Sequence, residues 1–287
     1  MMRMLLALVL AAPGVAVAQE DWADLGRFTA ENAALGRVEP GEERVVFLGD
    51  SITQAWSDAS PAFFADKAHI ERGISGQTTP QMLVRFRADV VALEPAAVVI
   101  LAGTNDIAGN TGPVSNKMIQ DNLASMAEIA AANGIRVILA SILPAYDYPW
   151  SPGREPAGRI AALNSWIRSY AAANDHVYLD YYSALVDDRG GMQAAYTTDG
   201  VHVTRAGYAL METLAEQAID VALERPQRSS RATGTDPAST SASASEIENA
   251  SAGESAREND SERGLLGFDP IDGCARTAGQ RRSRGCD

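Results

Sequence analysis

Short apolar runs alternate along the chain with longer stretches of helical spacing, and this alternation constrains the fold most strongly. The runs of strand length are residues 45–48, 68–72, 97–101, 136–140 and 177–180. The helical stretches are residues 79–93, 113–133, 156–173 and 205–224. Strands that alternate with crossover helices form a parallel sheet with helices on both faces. We therefore predict an α/β fold: a three-layer α/β/α sandwich whose five-stranded parallel sheet has the flavodoxin-like order 2-1-3-4-5.

Two end segments lie outside this alternation. Residues 1–18 contain an early arginine, continue as an apolar stretch and end in Ala-Val-Ala, which is typical of a secretory signal peptide and its cleavage site. Residues 226–287 are rich in Ser, Ala, Thr, Glu and Arg, so they bury too little apolar surface to offset the entropy cost of ordering. We predict an exported protein, periplasmic or extracellular, with a folded domain at residues 19–225 and a disordered tail at residues 226–287.

Charge and cysteine usage limit the partners of the chain. Its 24 Lys and Arg against 37 Asp and Glu give a formal net charge of −13, which disfavours nucleic acid and anionic membrane surfaces. The N-terminal apolar stretch is too short to span a membrane, so we expect no stable membrane insertion after cleavage. Cys274 and Cys286 lie in the tail, where they either form a small disulfide loop or remain two thiols. The oligomeric state stays open.

The first apolar run ends in Gly49-Asp50-Ser51-Ile52. In the predicted order this first strand lies between strands 2 and 3, so Ser51 would stand at the crevice where the strand order reverses. A serine at that point can act as a nucleophile, but Gly, Asp and Ser also form ordinary turns and helix caps. The choice between these readings depends on whether a general base can reach Ser51.

Histidine is the usual base for a serine nucleophile, and the chain has 3 histidines. His69 and His176 lie at the beginnings of strands 2 and 5, which places them at the opposite edge of a parallel sheet. His202 lies between the last strand and the last helix, at the same edge as Ser51. Asp199, three residues earlier, is either a turn residue beside a glycine or the group that holds the imidazole tautomer, and next to His202 we favour the second.

Two loops at the same edge offer hydrogen-bond donors for the oxyanion that forms during acyl transfer. Residues 73–78 follow strand 2 and contain glycines, which allow a backbone N–H to approach a ligand closely. Residues 103–106 follow strand 3, and the side chain of Asn105 is a neutral donor. In the order 2-1-3 these loops flank Ser51 on either side.

Four sequence blocks, taken in order, resemble those of the GDSL/SGNH hydrolase family over about residues 40–225. The blocks are Gly49-Asp50-Ser51-Ile52, the loop around Gly76, Gly103-Thr104-Asn105-Asp106 and Asp199-Gly200-Val201-His202.

The resemblance implies that Ser51 is the nucleophile, with His202 as the general base and Asp199 as the residue that orients it. It also implies an oxyanion hole formed by the backbone N–H groups of Ser51 and Gly76 and by the side-chain amide of Asn105. No metal and no other cofactor is implied. The chain departs from many relatives after His202, where Val-Thr replaces a proline, which changes a loop neighbour and removes no catalytic group.

Members of this family act on lipids, thioesters, aryl esters and acetylated sugars. Residues 72–79 are similar to members that resemble platelet-activating-factor acetylhydrolases and to carbohydrate acetylesterases, which favour small acyl groups. We therefore predict a serine esterase that hydrolyses small acyl esters, in particular acetyl esters, with a small molecule or a glycan as the substrate partner. The alternatives are a lipase or lysophospholipase-like acylhydrolase of longer chains, and a non-catalytic carbohydrate-binding protein on the same scaffold.

An aromatic loop follows strand 4 at this edge, at residues 146–150. Its side chains either contact substrate, by stacking on a sugar ring or lining an acyl pocket, or pack onto their own scaffold. Trp56 and the pair Phe63-Phe64, which come soon after Ser51, are predicted to belong to the core.

Overall fold

The computed structural model describes residues 21–65 and 68–225 of the chain. The predicted signal peptide, the tail after residue 225 and both cysteines lie outside these residues. None of the helices within the described ranges is long and apolar enough to cross a membrane.

One sheet of five parallel strands runs through the centre of the fold. Its strands are β1 (Val45–Gly49), β2 (His69–Gly73), β3 (Ala97–Ile100), β4 (Arg136–Ala140) and β5 (Val177–Leu179). Their order is β2-β1-β3-β4-β5, and every neighbouring pair is parallel. Gly49 lies beside Gly73 and Leu48 beside Ile100, so the carboxyl ends of the three strands meet at one edge. The predicted doubly wound sheet and its strand order are confirmed.

Helices precede and follow the strands. They are α1 (Thr29–Leu35), α2 (Ser51–Ala59), α3 (Pro61–Ala65), α4 (Thr79–Asp89), α5 (Thr104–Ala108), α6 (Asn116–Ala132), α7 (Ala157–Ala173), α8 (Tyr181–Leu185) and α9 (Arg205–Glu224). The four helices predicted from apolar spacing are confirmed as α4, α6, α7 and α9, although α4 ends at Asp89 and a short 3-10 turn follows at Val91–Leu93. The other helices have 9 residues or fewer, which is too short for a helical repeat to be recognised.

Two apolar cores lie on opposite faces of the sheet, because successive strand residues point to opposite sides. Val46 and Leu48 of β1 pack in the core under α4, α6 and α7. Val45 and Phe47 pack in the core under α2, α3, α8 and α9. Trp56 and Phe63 belong to this second core, and Phe64 is partly buried against it. The result is the predicted three-layer sandwich.

The buried face of α9 differs from the apolar stripe that the spacing of its large residues predicts. Spacing favours Leu210, Leu214, Ala218 and Val221, but Val221 is exposed and both leucines are only partly buried. The fully buried face carries Gly207, Tyr208, Met211, Ala215, Ala218, Ile219 and Ala222. Small residues let the helix lie close to the sheet, and this close approach decides which face is buried.

Candidate active site

Ser51, His202 and Asp199 are brought together at the carboxyl edge of the sheet. Ser51 Oγ lies 3.1 Å from His202 Nε2, and His202 Nδ1 lies 2.6 Å from Asp199 Oδ2. Ser51 follows β1 directly, whereas His202 lies 151 residues later, in the segment between α8 and α9. A base can activate a nucleophile through such a series of hydrogen bonds, while a third group orients the base.

Ser51 occupies the first position of helix α2. Asp50 caps this helix, because its side chain accepts the N–H of Ile52 at 3.0 Å. The first N–H groups of a helix have no carbonyl partner within the helix, so the Ser51 N–H is available to an acceptor outside it. Gly49 permits the helix to begin directly at the strand end, since a β-carbon there would lie 2.0 Å from Thr53 Oγ1.

Asp199 makes both kinds of contact that the sequence allows: those of a turn residue and the hydrogen bond to the imidazole of His202. As a turn residue, its Oδ1 accepts the backbone N–H groups of Val201 at 2.9 Å and His202 at 2.7 Å. Burial raises the pKa of Asp199, but the hydrogen bonds from His202 and Val201 outweigh burial and hold the pKa below its ordinary value. Asp199 is therefore an anion at neutral pH. Its Oδ2 accepts a hydrogen bond from Nδ1–H of His202, which leaves Nε2 to accept a hydrogen bond from the Ser51 hydroxyl.

The loop after β2 carries Gly76 in a tight turn. The N–H of Gln77 donates to the carbonyl of Ile74 at 3.2 Å, and Gly76 has a φ of +78°, a value that favours glycine. The N–H of Ser75 donates to Gln54 Oε1 at 2.8 Å. Because Gln54 belongs to α2, the turn that holds Gly76 is anchored to the helix that begins at the serine.

Asn105 lies in the first turn of α5, the short helix after β3. Its buried carboxamide donates to the Gln77 carbonyl at 3.1 Å and accepts from Asn110 at 3.0 Å, which leaves one N–H for a ligand. The adjacent Asp106 accepts the backbone N–H of Thr79 at 2.9 Å and its hydroxyl at 2.6 Å. The two loops that flank the end of β1 are therefore joined by side-chain hydrogen bonds.

The aromatic side chains of the loop after β4 have two different environments: one packs into the scaffold and two are exposed near the candidate site. Tyr148 is buried and its hydroxyl accepts a hydrogen bond from Thr104 at 3.1 Å, so it packs onto the scaffold. Tyr146 is 60% exposed and Trp150 is 43% exposed. The ring centroids of Trp150 and His202 lie 5.9 Å apart. Trp150 therefore borders the imidazole that contacts the serine.

The remaining histidines lie away from this edge. His69 opens β2, and its Nδ1 lies 3.0 Å from the carbonyl oxygen of Phe63. His176 directly precedes β5. Both positions are at the amino ends of their strands, which in a parallel sheet is the edge opposite Ser51, as predicted.

Comparison with known proteins assigns the chain to a family. The model of the GDSL-like Lipase/Acylhydrolase family matches residues 47–210, a range that includes Ser51, Gly76, Asn105, Asp199 and His202. This chain belongs to the GDSL-like lipase/acylhydrolase family.

Two of three similar proteins compared with this GDSL-family chain are named as ester hydrolases. The solved structure of a GDSL-like lipase from Bacteroides thetaiotaomicron is 48% identical, covers 70% of this chain and 99% of that one, and has a TM-score of 0.69. Esterase TesA of Pseudomonas aeruginosa is 29% identical over 179 residues, which are 61% of this chain and 82% of TesA. The uncharacterised lipoprotein YqeF of Bacillus subtilis is 32% identical over 123 residues, which are 36% of this chain and 50% of YqeF. The chain is a carboxylic ester hydrolase that acts on a small-molecule ester.

One residue of this GDSL-family site, Arg85, is not predicted from the sequence. Arg85 is fully buried on α4, and its guanidinium donates to the carbonyls of Gly49 at 3.0 Å and Arg72 at 2.9 Å. It also donates to Gln77 Oε1 at 2.6 Å and to Asp89 Oδ2 at 3.2 Å. Arg85 thus joins the ends of β1 and β2 to the loop that follows β2.

Proposed function

We propose that this chain is an exported serine esterase that hydrolyses small acyl esters, chiefly acetyl esters of carbohydrates. The observation that carries the proposal is the hydrogen-bonded series from Ser51 Oγ through His202 to Asp199 Oδ2, with separations of 3.1 and 2.6 Å. In this proposal Ser51 is the nucleophile, His202 is the general base and Asp199 orients the imidazole.

The reaction proceeds in two steps. Ser51 Oγ attacks the ester carbonyl carbon while its proton passes to His202 Nε2; the bond to the alcohol oxygen then breaks, and His202 protonates the leaving alcohol. In the second step, water attacks the acyl-enzyme and gives a proton to His202. That proton returns to Ser51 Oγ as the carboxylic acid leaves. Asp199 stays ionised and stabilises the imidazolium in both steps.

In this proposal three donors form the oxyanion hole: the N–H of Ser51, the N–H of Gly76 and the free N–H of the Asn105 carboxamide. Support comes from the position of Ser51 at the N-terminus of α2, where the helix dipole favours negative charge. The loops of Gly76 and Asn105 are held by hydrogen bonds before substrate arrives, so little reorganisation is needed when the charge develops.

The substrate class is inferred from the aromatic loop. Tyr146 and Trp150 are exposed aromatic residues, Trp150 borders His202, and aromatic rings of this kind can pack against a sugar ring. A cleft of about 310 Å³ lies between this loop and Asp199-Gly200. Ligand sites span roughly 300–1,000 Å³, so this cleft is at the small end of the range. Because Asp199 lines it and Ser51 and His202 do not, we assign it to a single sugar unit of the substrate and not to the acyl group.

A longer-chain acylhydrolase is the second candidate, because the same exposed rings could line an acyl chain and a 48% identical relative is named a GDSL-like lipase. A series of p-nitrophenyl esters from acetate to palmitate separates the two. We expect kcat/KM to be highest for acetate and acetate to be released from acetylated oligosaccharides. A rate that rises with chain length would establish the lipase instead.

The nucleophile is tested with Ser51→Ala on p-nitrophenyl acetate. Loss of a triad serine typically lowers kcat by about a millionfold, so we expect activity near the background rate. Ser57→Ala is the matched control, because Ser57 lies on the same helix and donates to the Gln54 carbonyl at 3.1 Å. A folded Ser51→Ala protein that keeps wild-type activity would refute the proposal.

A wild-type protein that binds oligosaccharides and hydrolyses no ester would instead be a carbohydrate-binding protein.

Export rests on the signal-peptide pattern of residues 1–18 and on the similarity to a lipoprotein. Protein recovered from the periplasm or the medium should begin at Gln19 when sequenced from its N-terminus. Protein that stays in the cytoplasm with residues 1–18 intact would contradict this part of the proposal.

A further inference from the structure

The side chain of Asn110 contacts three separate parts of the proposed site. Its Nδ2 donates to Asn105 Oδ1 at 3.0 Å and to the backbone carbonyl of Gly76 at 3.1 Å. Its Oδ1 accepts the indole N–H of Trp150 at 3.0 Å. One carboxamide therefore joins Asn105 and Gly76, two residues of the proposed oxyanion hole, to the aromatic ring that borders His202, and this carboxamide has no role in the two steps proposed above.

The chemistry of the partners fixes the orientation of this carboxamide. A backbone carbonyl can only accept a hydrogen bond and an indole N–H can only donate one. The atom of Asn110 that faces Gly76 must therefore be the nitrogen, and the atom that faces Trp150 must be the oxygen. The same reasoning applies to Asn105, whose nitrogen faces the Gln77 carbonyl and whose oxygen faces the nitrogen of Asn110.

The backbone around Asn110 is held by the residue that its side chain contacts. The N–H groups of Gly109 and Asn110 both donate to the carbonyl of Asn105, each at 3.0 Å, at the end of α5. Gly109 has a φ of +84°, which turns the chain at this helix end. Asn110 is exposed, so these contacts are not needed to fill the core and can serve another purpose.

We propose that Asn110 is a positioning residue of the oxyanion hole, an inference that rests on the proposed function. Its N–H groups hold the carboxamide of Asn105 in the orientation that donates to the substrate oxygen, and they fix the Gly76–Gln77 peptide, which directly follows the peptide that carries the Gly76 N–H. Donation to Asn105 Oδ1 also polarises that carboxamide, which strengthens its remaining N–H as a donor. Through Trp150, Asn110 connects the hole to the aromatic loop.

A double-mutant cycle of Asn110→Ala and Asn105→Ala, measured with p-nitrophenyl acetate on the full chain, tests this role. Loss of one oxyanion donor costs about 100- to 1,000-fold in kcat, so we expect that range for Asn105→Ala. For Asn110→Ala we expect a fall of about 10-fold in kcat with KM nearly unchanged, because only transition-state stabilisation is lost. In the Asn105→Ala background the same change should cost about 3-fold or less, since Asn110 acts chiefly through Asn105.

A second variant, Asn110→Asp, separates hydrogen-bond donation from size. A carboxylate accepts from Trp150 but cannot donate to Asn105 or Gly76, and it adds negative charge beside the oxyanion. We expect kcat to fall further than in Asn110→Ala. Asn133→Asp is the matched control, because Asn133 is an exposed residue at the C-terminus of α6 with its Nδ2 on the Ile129 carbonyl. This control should keep wild-type activity.

The outcomes for the positioning role and for the proposed function are distinct. Wild-type kcat in Asn110→Ala, or an equal loss in both backgrounds of the cycle, overturns the positioning role while leaving the triad intact. A rise in KM without a fall in kcat also overturns it, because that result would assign Asn110 to substrate binding. Retention of activity in Ser51→Ala overturns the proposed function itself.

Discussion

Two aspartates near Ser51 have opposite electrostatic character. Burial raises the pKa of Asp199, but the hydrogen bonds from His202 outweigh it and keep this carboxyl an anion. Burial raises the pKa of Asp50 to about 6, although the Ile52 N–H and the nearby His202 lower it. Both residues look like ordinary turn formers in the sequence. Their surroundings make Asp199 an anion beside the proposed base, His202, and make Asp50 a buried helix cap that holds its proton in mild acid.

The raised pKa of Asp50 predicts a specific dependence of stability on pH. The folded protein binds this proton more tightly than the unfolded chain, so the free energy of unfolding falls as pH rises from about 4 to about 6 and then levels off. The fall due to Asp50 is at most about 3 kcal/mol. Asp50→Asn keeps a cap that accepts from Ile52 and removes this part of the dependence.

Urea denaturation of the wild type and Asp50→Asn at several pH values measures this difference. Glu71, whose pKa burial raises to about 7, contributes to both proteins in the same way and cancels in the comparison. Parallel stability curves for the two proteins between pH 4 and pH 7 would contradict the prediction.

At the scale of elements, helix α4 does more than cover the sheet. Its buried face carries Met82 and Phe86, as the sequence predicts, but Arg85 is buried on the same face. Arg85 donates to the last carbonyls of β1 and β2 and pairs with Asp89 one turn later. The ends of two strands and the loop between β2 and α4 are therefore fixed by one side chain of a neighbouring helix.

Replacement of Arg85 by methionine should be strongly destabilising. The change removes the ion-pair partner of the buried Asp89 carboxylate, which keeps the Asn32 amide, and it removes one donor each from the carbonyls of Gly49 and Arg72. Loss of one partner of a buried ion pair typically costs about 3–5 kcal/mol in the free energy of unfolding. Arg85→Lys should recover only part of this loss, because an ammonium lacks the planar fork that reaches several acceptors. Arg87→Met is the control on the exposed face of α4, with an expected change within about 0.5 kcal/mol. Equal effects of the two methionine variants in thermal or urea unfolding would refute this role.

At the scale of the whole molecule, the last described residue, Arg225, joins the end of α9 to the central sheet through two hydrogen bonds. Arg136 Nε donates to the carbonyl of Arg225 at 3.2 Å, and Arg225 Nη1 donates to the carbonyl of Asp175 at 3.1 Å. The last helix is thus fastened to the amino edge of β4 and to the segment before β5 by residue 225 itself. The residues that make these two contacts all lie within the predicted domain, residues 19–225, so a chain that ends at residue 225 retains them.

A chain restricted to residues 19–225 should fold and keep the esterase activity of the full chain. We expect its Tm to lie within about 3 °C of the full protein, which corresponds to a change of about 1 kcal/mol or less. Differential scanning calorimetry and p-nitrophenyl acetate hydrolysis check this expectation. An insoluble product, or one without a cooperative transition, would show that the tail belongs to the folded unit.

The sequence by itself determined the fold class and the edge at which the chemistry lies. Strand and helix patterns are local. Because all the strands run parallel, Ser51, Gly76, Asn105 and His202 share one edge, and the strand order places the Gly76 and Asn105 loops on either side of Ser51. The long helices were predictable for the same reason, whereas the helices of nine residues or fewer were not.

Which side chains hold the loops at this edge in position could be learned only from the tertiary structure. Arg85 and Asn110 look like surface residues in their local sequence, and Asp50 looks like an ordinary cap. Their roles depend on contacts between segments that are distant in the chain, such as Asn110 with Gly76 and Trp150, or Arg85 with Gly49. The face that α9 buries was decided in the same way, by how closely its small residues let it approach the sheet. Hydrogen-bond geometry and burial exist only once those segments have packed together, so no local pattern encodes them.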